Sequence, residues 1–120
     1  MKEVLYLLWK LVFVEGDSVC PETAKQVARV LNGRPVELLF VDSSHTVEHA
    51  RAELTLYGPM LAPVSLVVMD DLNQPRELYD LFYSLPGSPV ELDWLHPLGA
   101  GGCSCGFGAV ILTEGLDGWI

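Results

Sequence analysis

VELLFVDSSHTVEHARAELTLYGPMLAPVSLVVMDD, Val36 to Asp71, is the stretch on which the fold turns. It reads as strand, acidic turn, helix, proline break, strand, acidic turn. Val36–Val41 and Ser65–Met69 are nearly continuous apolar runs, as expected of strands covered on both faces. Asp42-Ser43-Ser44-His45 follows the first strand and Asp70-Asp71-Leu72-Asn73 the second. Between them Thr46 can cap a helix whose inner side carries Val47, Ala50, Leu54 and Tyr57. Gly58-Pro59 and Pro63 end that helix. Two strands joined through a helix are expected to lie parallel, with both acidic turns at the carboxyl edge of the sheet, where open α/β sheets bind their ligands.

Working outward, Glu15-Gly16-Asp17-Ser18 is a turn, and Pro21 suits the first turn of a helix with Glu22 at its positive end. Asn32-Gly33 closes that helix with residues that tolerate left-handed backbone. Upstream, Val4–Val14 is an apolar run interrupted by Lys10 whose periodicity does not separate helix from strand. Its end, Leu11–Val14, is the better strand. Downstream, Pro75 opens a helix through Leu85, and Pro86-Gly87-Ser88-Pro89 breaks the chain. Val90–Leu95 and Ala109–Thr113 read as strands flanking a glycine-rich loop, Gly99–Gly108. Joined without a helix, they are expected to be antiparallel. The order β-α-β-α-β-α-β-β predicts a single α/β domain over residues 1–120: a Rossmann-like, mostly parallel sheet, helices on both faces and an antiparallel C-terminal strand pair.

Composition bounds the function. The chain has 120 residues, half of them apolar, with 7 basic and 16 acidic side chains and a formal charge of −9. No basic face is available for a phosphate backbone, which argues against nucleic acid as a partner. The apolar run Val4–Val14 is well short of the ~20 residues a membrane-spanning helix needs. Three cysteines, an odd number, speak for a reducing compartment. These features predict a cytoplasmic protein without a membrane partner.

The ordered motifs also carry a resemblance. Asp42, Ser44 with His45, His49, Glu53-Leu54 with Tyr57, Pro59, Pro63 and Asp70-Asp71, preceded by Gly16-Asp17-Ser18, resemble class I S-adenosylmethionine-dependent methyltransferases. The likeness is to the branch with cephalosporin hydroxylase-like and rhamnosyl O-methyltransferase-like proteins. It covers about residues 11–85; the last 35 residues fit only loosely. The resemblance implies a methyl transfer from S-adenosylmethionine to a hydroxyl of a small-molecule acceptor. It implies that Gly16, Asp17 and Ser18 face the adenine, that Asp42 also borders the cofactor, and that Asp42, Asp70 and Asp71 hold Mg²⁺. Hard carboxylate oxygens suit that ion. The family's glycine-rich first βαβ unit has no counterpart before Leu11. An N-terminally truncated or decayed domain is therefore expected. Val12–Val14 would then pair directly with Val36–Val41, or a homo-oligomer would supply the strand.

Each motif also has a plainer reading. The three aspartates could serve only as caps near helix N-termini. His45 could be a general base, a cofactor-edge contact or one half of a zinc pair with His49. Either histidine could equally be a hydrogen-bonded residue at a helix start, the reading preferred for His49. Gly16-Asp17-Ser18 could be a turn with Ser18 as helix cap. Cys103-Ser104-Cys105, with His96 and Cys20, lacks a recognised metal-ligand spacing, and the glycine-rich loop does not open a helix as a phosphate loop would. Trp9, Trp94, Trp119, Tyr79 and Phe82 read as packing residues, with Trp94 and His96 as candidate lining of an acceptor pocket. The rival of another class is a non-catalytic assembly subunit that dimerises through exposed central strands. A nucleotide-binding or hydrolase domain lacks both a phosphate loop and a nucleophile motif.

Overall fold

A computed structural model describes residues 10–73, 75–92 and 106–119. Helix α1 spans Pro21–Leu31, strand β1 Val36–Val41 and helix α2 Val47–Tyr57. A 3₁₀ turn, Gly58–Met60, leads into strand β2, Leu61–Asp70. Helix α3 covers Leu78–Ser84, and strands β3 and β4 cover Ser88–Glu91 and Phe107–Leu112. The four strands form one mixed sheet in the order β1-β2-β4-β3. β1 and β2 are parallel, while β4 runs antiparallel to both β2 and β3. This is the expected α/β class with its antiparallel closing pair, and only the β1–β2 pairing is parallel among the described residues.

Local chemistry explains the boundaries. Asn32 adopts φ +51 and closes α1, with its N–H on the Ala28 carbonyl. The Thr46 hydroxyl accepts from the His49 N–H at 3.1 Å and starts α2 as anticipated. α3 begins three residues later than Pro75. Leu78, Tyr79 and Asp80 instead bond back three residues, to Pro75, Arg76 and Glu77. No side chain caps the helix at Glu77, so the segment tightens into turns before the α-helical pattern is established.

The pleat sorts the sheet into two faces. Leu39, Val67 and Val110 align across three strands, as do Val41, Met69 and Gly108. These rows meet Ala50 and Leu54 of α2 and Leu78, Leu81 and Phe82 of α3 to form the core. Gly108 is needed there, because a Cβ on it would lie 2.6 Å from the Phe82 ring. The other face carries Leu38, Leu66 and Ile111 in one row and Phe40, Val68, Ala109 and Val90 in the next. Leu38, Phe40, Ile111 and Val90 are exposed. β1 is thus not covered on both faces, in contrast to the reading of Val36–Val41 as a doubly covered strand.

One strand assignment is corrected. Leu11–Val14 belongs to no strand, and Leu11 and Phe13 are exposed. Val12–Val14 does not pair with β1, which forms an edge of the described sheet. Val14 instead lies across a cavity of about 410 Å³ from Val36, Leu39 and Phe40. The cause is the turn that follows. Gly16 sits at φ +151, and a Cβ there would come within 2.5 Å of the Thr23 hydroxyl. Ser18 is tied to helix α2, so the chain entering α1 is held off the strand edge. Downstream, the strand read as Val90–Leu95 starts earlier, at Ser88, and is described to Glu91. The one read as Ala109–Thr113 begins at Phe107. Trp9, Trp94, His96, Cys103 and Cys105 lie outside the described residues. Among the described residues no helix is long and apolar enough to cross a membrane.

Candidate functional site

The parallel register places Val41 beside Met69, so Asp42 and Asp70 leave adjacent strands at the same edge. Carboxylate oxygens of Asp42, Asp70 and Asp71 all lie within 4.8 Å of one another. Asp71 adopts φ +56, a left-handed conformation that aspartate tolerates better than most residues. Its N–H donates to Asp70 Oδ1 at 2.8 Å, which holds the Asp70 carboxylate against the backbone of the turn. Leu72, fully buried, anchors the turn, and its N–H reaches the Gly106 carbonyl at the start of β4. Among the described residues no lysine or arginine pairs with the three aspartates. The basic group beside them is His45, whose Nε2 lies 2.9 Å from Asp71 Oδ2. Three crowded carboxylates whose basic neighbour among the described residues is a half-exposed imidazole repel one another, and a bound cation would relieve that repulsion. The donor set is all oxygen, the type Mg²⁺ or Ca²⁺ takes. The cleft between the two turns is about 10 Å³, the size of one water or one ion.

His49 has a different partner. Its Nε2 lies 2.9 Å from Glu53 Oε1 and 3.3 Å from Ser18 Oγ. His45 and His49 therefore belong to separate clusters and do not form a zinc pair. His49 is the hydrogen-bonded histidine of a helix start, as preferred. Glu53 is buried, and its Oε1 also accepts from Ser18 Oγ at 2.5 Å and from Ser43 Oγ. Tyr57 OH donates to the Ser18 carbonyl at 2.9 Å. Burial, and then the nearby negative charge of Glu53, raises the Tyr57 pKa above the usual phenol value. Ser18 does not cap α1; Cys20 occupies that position without a side-chain cap bond.

Gly16, Ser18 and Asp42 line the same cavity of about 410 Å³, together with Ser43, Glu53 and Tyr57. Asp17 is not among its lining residues. Asp17 Oδ1 accepts from the Val19 N–H at 3.1 Å, which stabilises the turn. The cofactor set read from the sequence is thus brought together at three of its four positions. Glu53 was legible only as a motif residue. The i,i+4 spacing from His49 signals one of its contacts, while Ser18 lies 35 residues away in sequence and has no local signature.

Adjacent parallel strands with acidic turns at their carboxyl ends, closed by an antiparallel pair, form a Rossmann-like α/β arrangement. A family model described as "Rhamnosyl O-methyltransferase/CmcI" matches residues 3–83. The chain belongs to this family. It is 34% identical over 64 residues to a rhamnosyl O-methyltransferase of Mycobacterium tuberculosis (strain ATCC 25618 / H37Rv), a stretch covering 52% of this chain and 26% of the relative. A Mycobacterium bovis protein of the same name (strain BCG / Pasteur 1173P2) matches to the same extent. A rhamnosyl O-methyltransferase of Mycobacterium leprae (strain TN) is 31% identical over 64 residues, 52% of this chain and 28% of the relative. The chain spans about a quarter of the length of these curated relatives. No solved structure matches it.

Proposed function

We propose that this chain is the metal- and acceptor-side part of an S-adenosylmethionine-dependent O-methyltransferase domain that acts on a small-molecule hydroxyl, such as one on a sugar. The observation that carries the reading is the convergence of Asp42, Asp70 and Asp71 at the carboxyl ends of two parallel strands. Family membership and the names of the relatives support the reaction class. Asp42, Asp70 and Asp71 would hold Mg²⁺, and Gly16, Asp17, Ser18 and Asp42 would border the cofactor. When bound, the metal lowers the pKa of the acceptor hydroxyl and S-adenosylmethionine supplies an electrophilic methyl group.

The chain's own residues then have defined tasks. Asp71 orients the His45 ring by accepting from Nε2–H. That leaves Nδ1 as the basic nitrogen to take the acceptor proton. Asp70 ends strand β2 and Asp42 directly follows β1, so the sheet sets the strands from which both carboxylates emerge. The −9 charge and the odd cysteine count support work in the cytoplasm.

A second reading is a non-catalytic assembly subunit that pairs through β1. The open edge of β1 and the exposed Leu38 and Phe40 favour it. Calorimetric titration of S-adenosylmethionine, with and without Mg²⁺, separates the two. The enzyme reading expects binding that depends on Mg²⁺ and disappears in Asp70→Asn. No heat up to millimolar ligand, together with a stable dimer in sedimentation, would favour the assembly subunit instead.

A further inference from the structure

Glu53 stands apart from the packing around it. It is a carboxylate at 5% exposure in the helix α2 that otherwise delivers Ala50 and Leu54 to the core. A charge so placed is costly unless it is hydrogen-bonded. Its Oε1 collects Ser18 Oγ from the turn before α1, Ser43 Oγ from the turn after β1, and His49 Nε2 from its own helix. Such charge-assisted bonds are stronger and more directional than neutral ones. One oxygen thereby joins two turns that are far apart in sequence, and one of them presents Asp42.

We infer that Glu53 is a positioning residue for the acidic site. Through Ser43 it fixes the backbone that presents Asp42 to Asp70 and Asp71. Through Ser18 it makes that presentation depend on the Gly16–Ser18 turn. Glu53 does not itself belong to the carboxylate trio, so it acts through its partners. Groups hydrogen-bonded to a metal ligand typically tune affinity by about 10–100-fold; Glu53 bonds to the neighbour of a ligand, so its effect should lie near the lower end of that range. The inference rests on the metal reading above and extends it to residues outside the ligand set.

The test is a Mn²⁺ titration of the intact chain by calorimetry, with thermal melts of every variant. Ser43→Ala and Glu53→Gln should weaken Mn²⁺ binding by about tenfold, and Ser18→Ala by several-fold. Ser18→Ala is the discriminating variant, because a merely structural role would lower its melting temperature and leave its Mn²⁺ affinity unchanged. Should Glu53→Gln fail to fold, the two serine variants still decide the question. Unchanged Mn²⁺ affinity in both, with uptake still lost in Asp70→Asn, would overturn the positioning role and leave the metal reading intact. A native chain that takes up no Mn²⁺ would overturn both.

Discussion

Phe82→Ala is expected to remove about 3–5 kcal/mol of folding stability, the range for truncating a buried aromatic side chain. Phe82 is fully buried on α3. Its ring lies against Gly108 of β4, and Tyr83 meets it edge-on at 5.1 Å between centroids. No side chain from Gly108 can move in to fill the space, so the cavity stays. Core residues from β1, β2, β4, α2 and α3 all belong to one cluster, so the loss should be felt across the whole sheet rather than locally. A domain of this size holds about 5–15 kcal/mol in total, which makes the change a large fraction. Urea denaturation reads it as a lower midpoint with little change in slope. A loss below about 1 kcal/mol would show that α3 does not hold the core as described.

Asp70→Asn is expected to act in two opposite directions. The substitution keeps an oxygen that can accept from the Asp71 N–H, now at 2.8 Å from Asp70 Oδ1, and removes one of three crowded negative charges. Without cation the variant should be more stable than the native chain. With screening close to that of bulk water, as suits carboxylates this accessible to solvent, the relief is on the order of 1 kcal/mol, or a few degrees in melting temperature. With Mg²⁺ or Mn²⁺ the order should reverse. The native chain gains stability in proportion to the logarithm of cation concentration over its dissociation constant, and the variant does not. Cation affinity should fall by at least about a hundredfold, the upper end of what residues outside a ligand set contribute. Melting curves across a cation series test both signs together. Caps alone would show neither the cation-dependent rise nor its loss.

The contrast between what was and was not legible in the sequence follows the range of the interactions involved. Asn32-Gly33, the Thr46 cap and the alternation of β1 and β2 with α2 are local, and residue chemistry alone locates them. The meeting of Asp42 with Asp70 and Asp71 was readable one level up, because parallel neighbours joined through a helix bring their carboxyl ends to one edge. Val12–Val14 failed for the opposite reason. Its apolar character suits a strand, but a strand also needs a neighbour, and the Gly16 turn tied to α2 carries the segment away from β1. α3 starts at Leu78 rather than Pro75 because a proline permits a first turn without supplying the missing cap. The role of Glu53 was hidden because its partners Ser18 and Ser43 sit on different turns, 35 and 10 residues away. Burial of a glutamate is visible only once the helix is packed.

The most direct test of the metal-and-acceptor reading is where a paramagnetic cation sits. Mn²⁺ added in small amounts to the isotope-labelled intact chain should selectively broaden the amide signals around Asp42–His45 and Asp70–Leu72, and Mg²⁺ in excess should restore them. Signals on the far end of the sheet, such as those of Pro63 neighbours and Leu112, should remain sharp. Broadening that is absent, spread evenly over the acidic surface, or unchanged in Asp70→Asn would contradict the account.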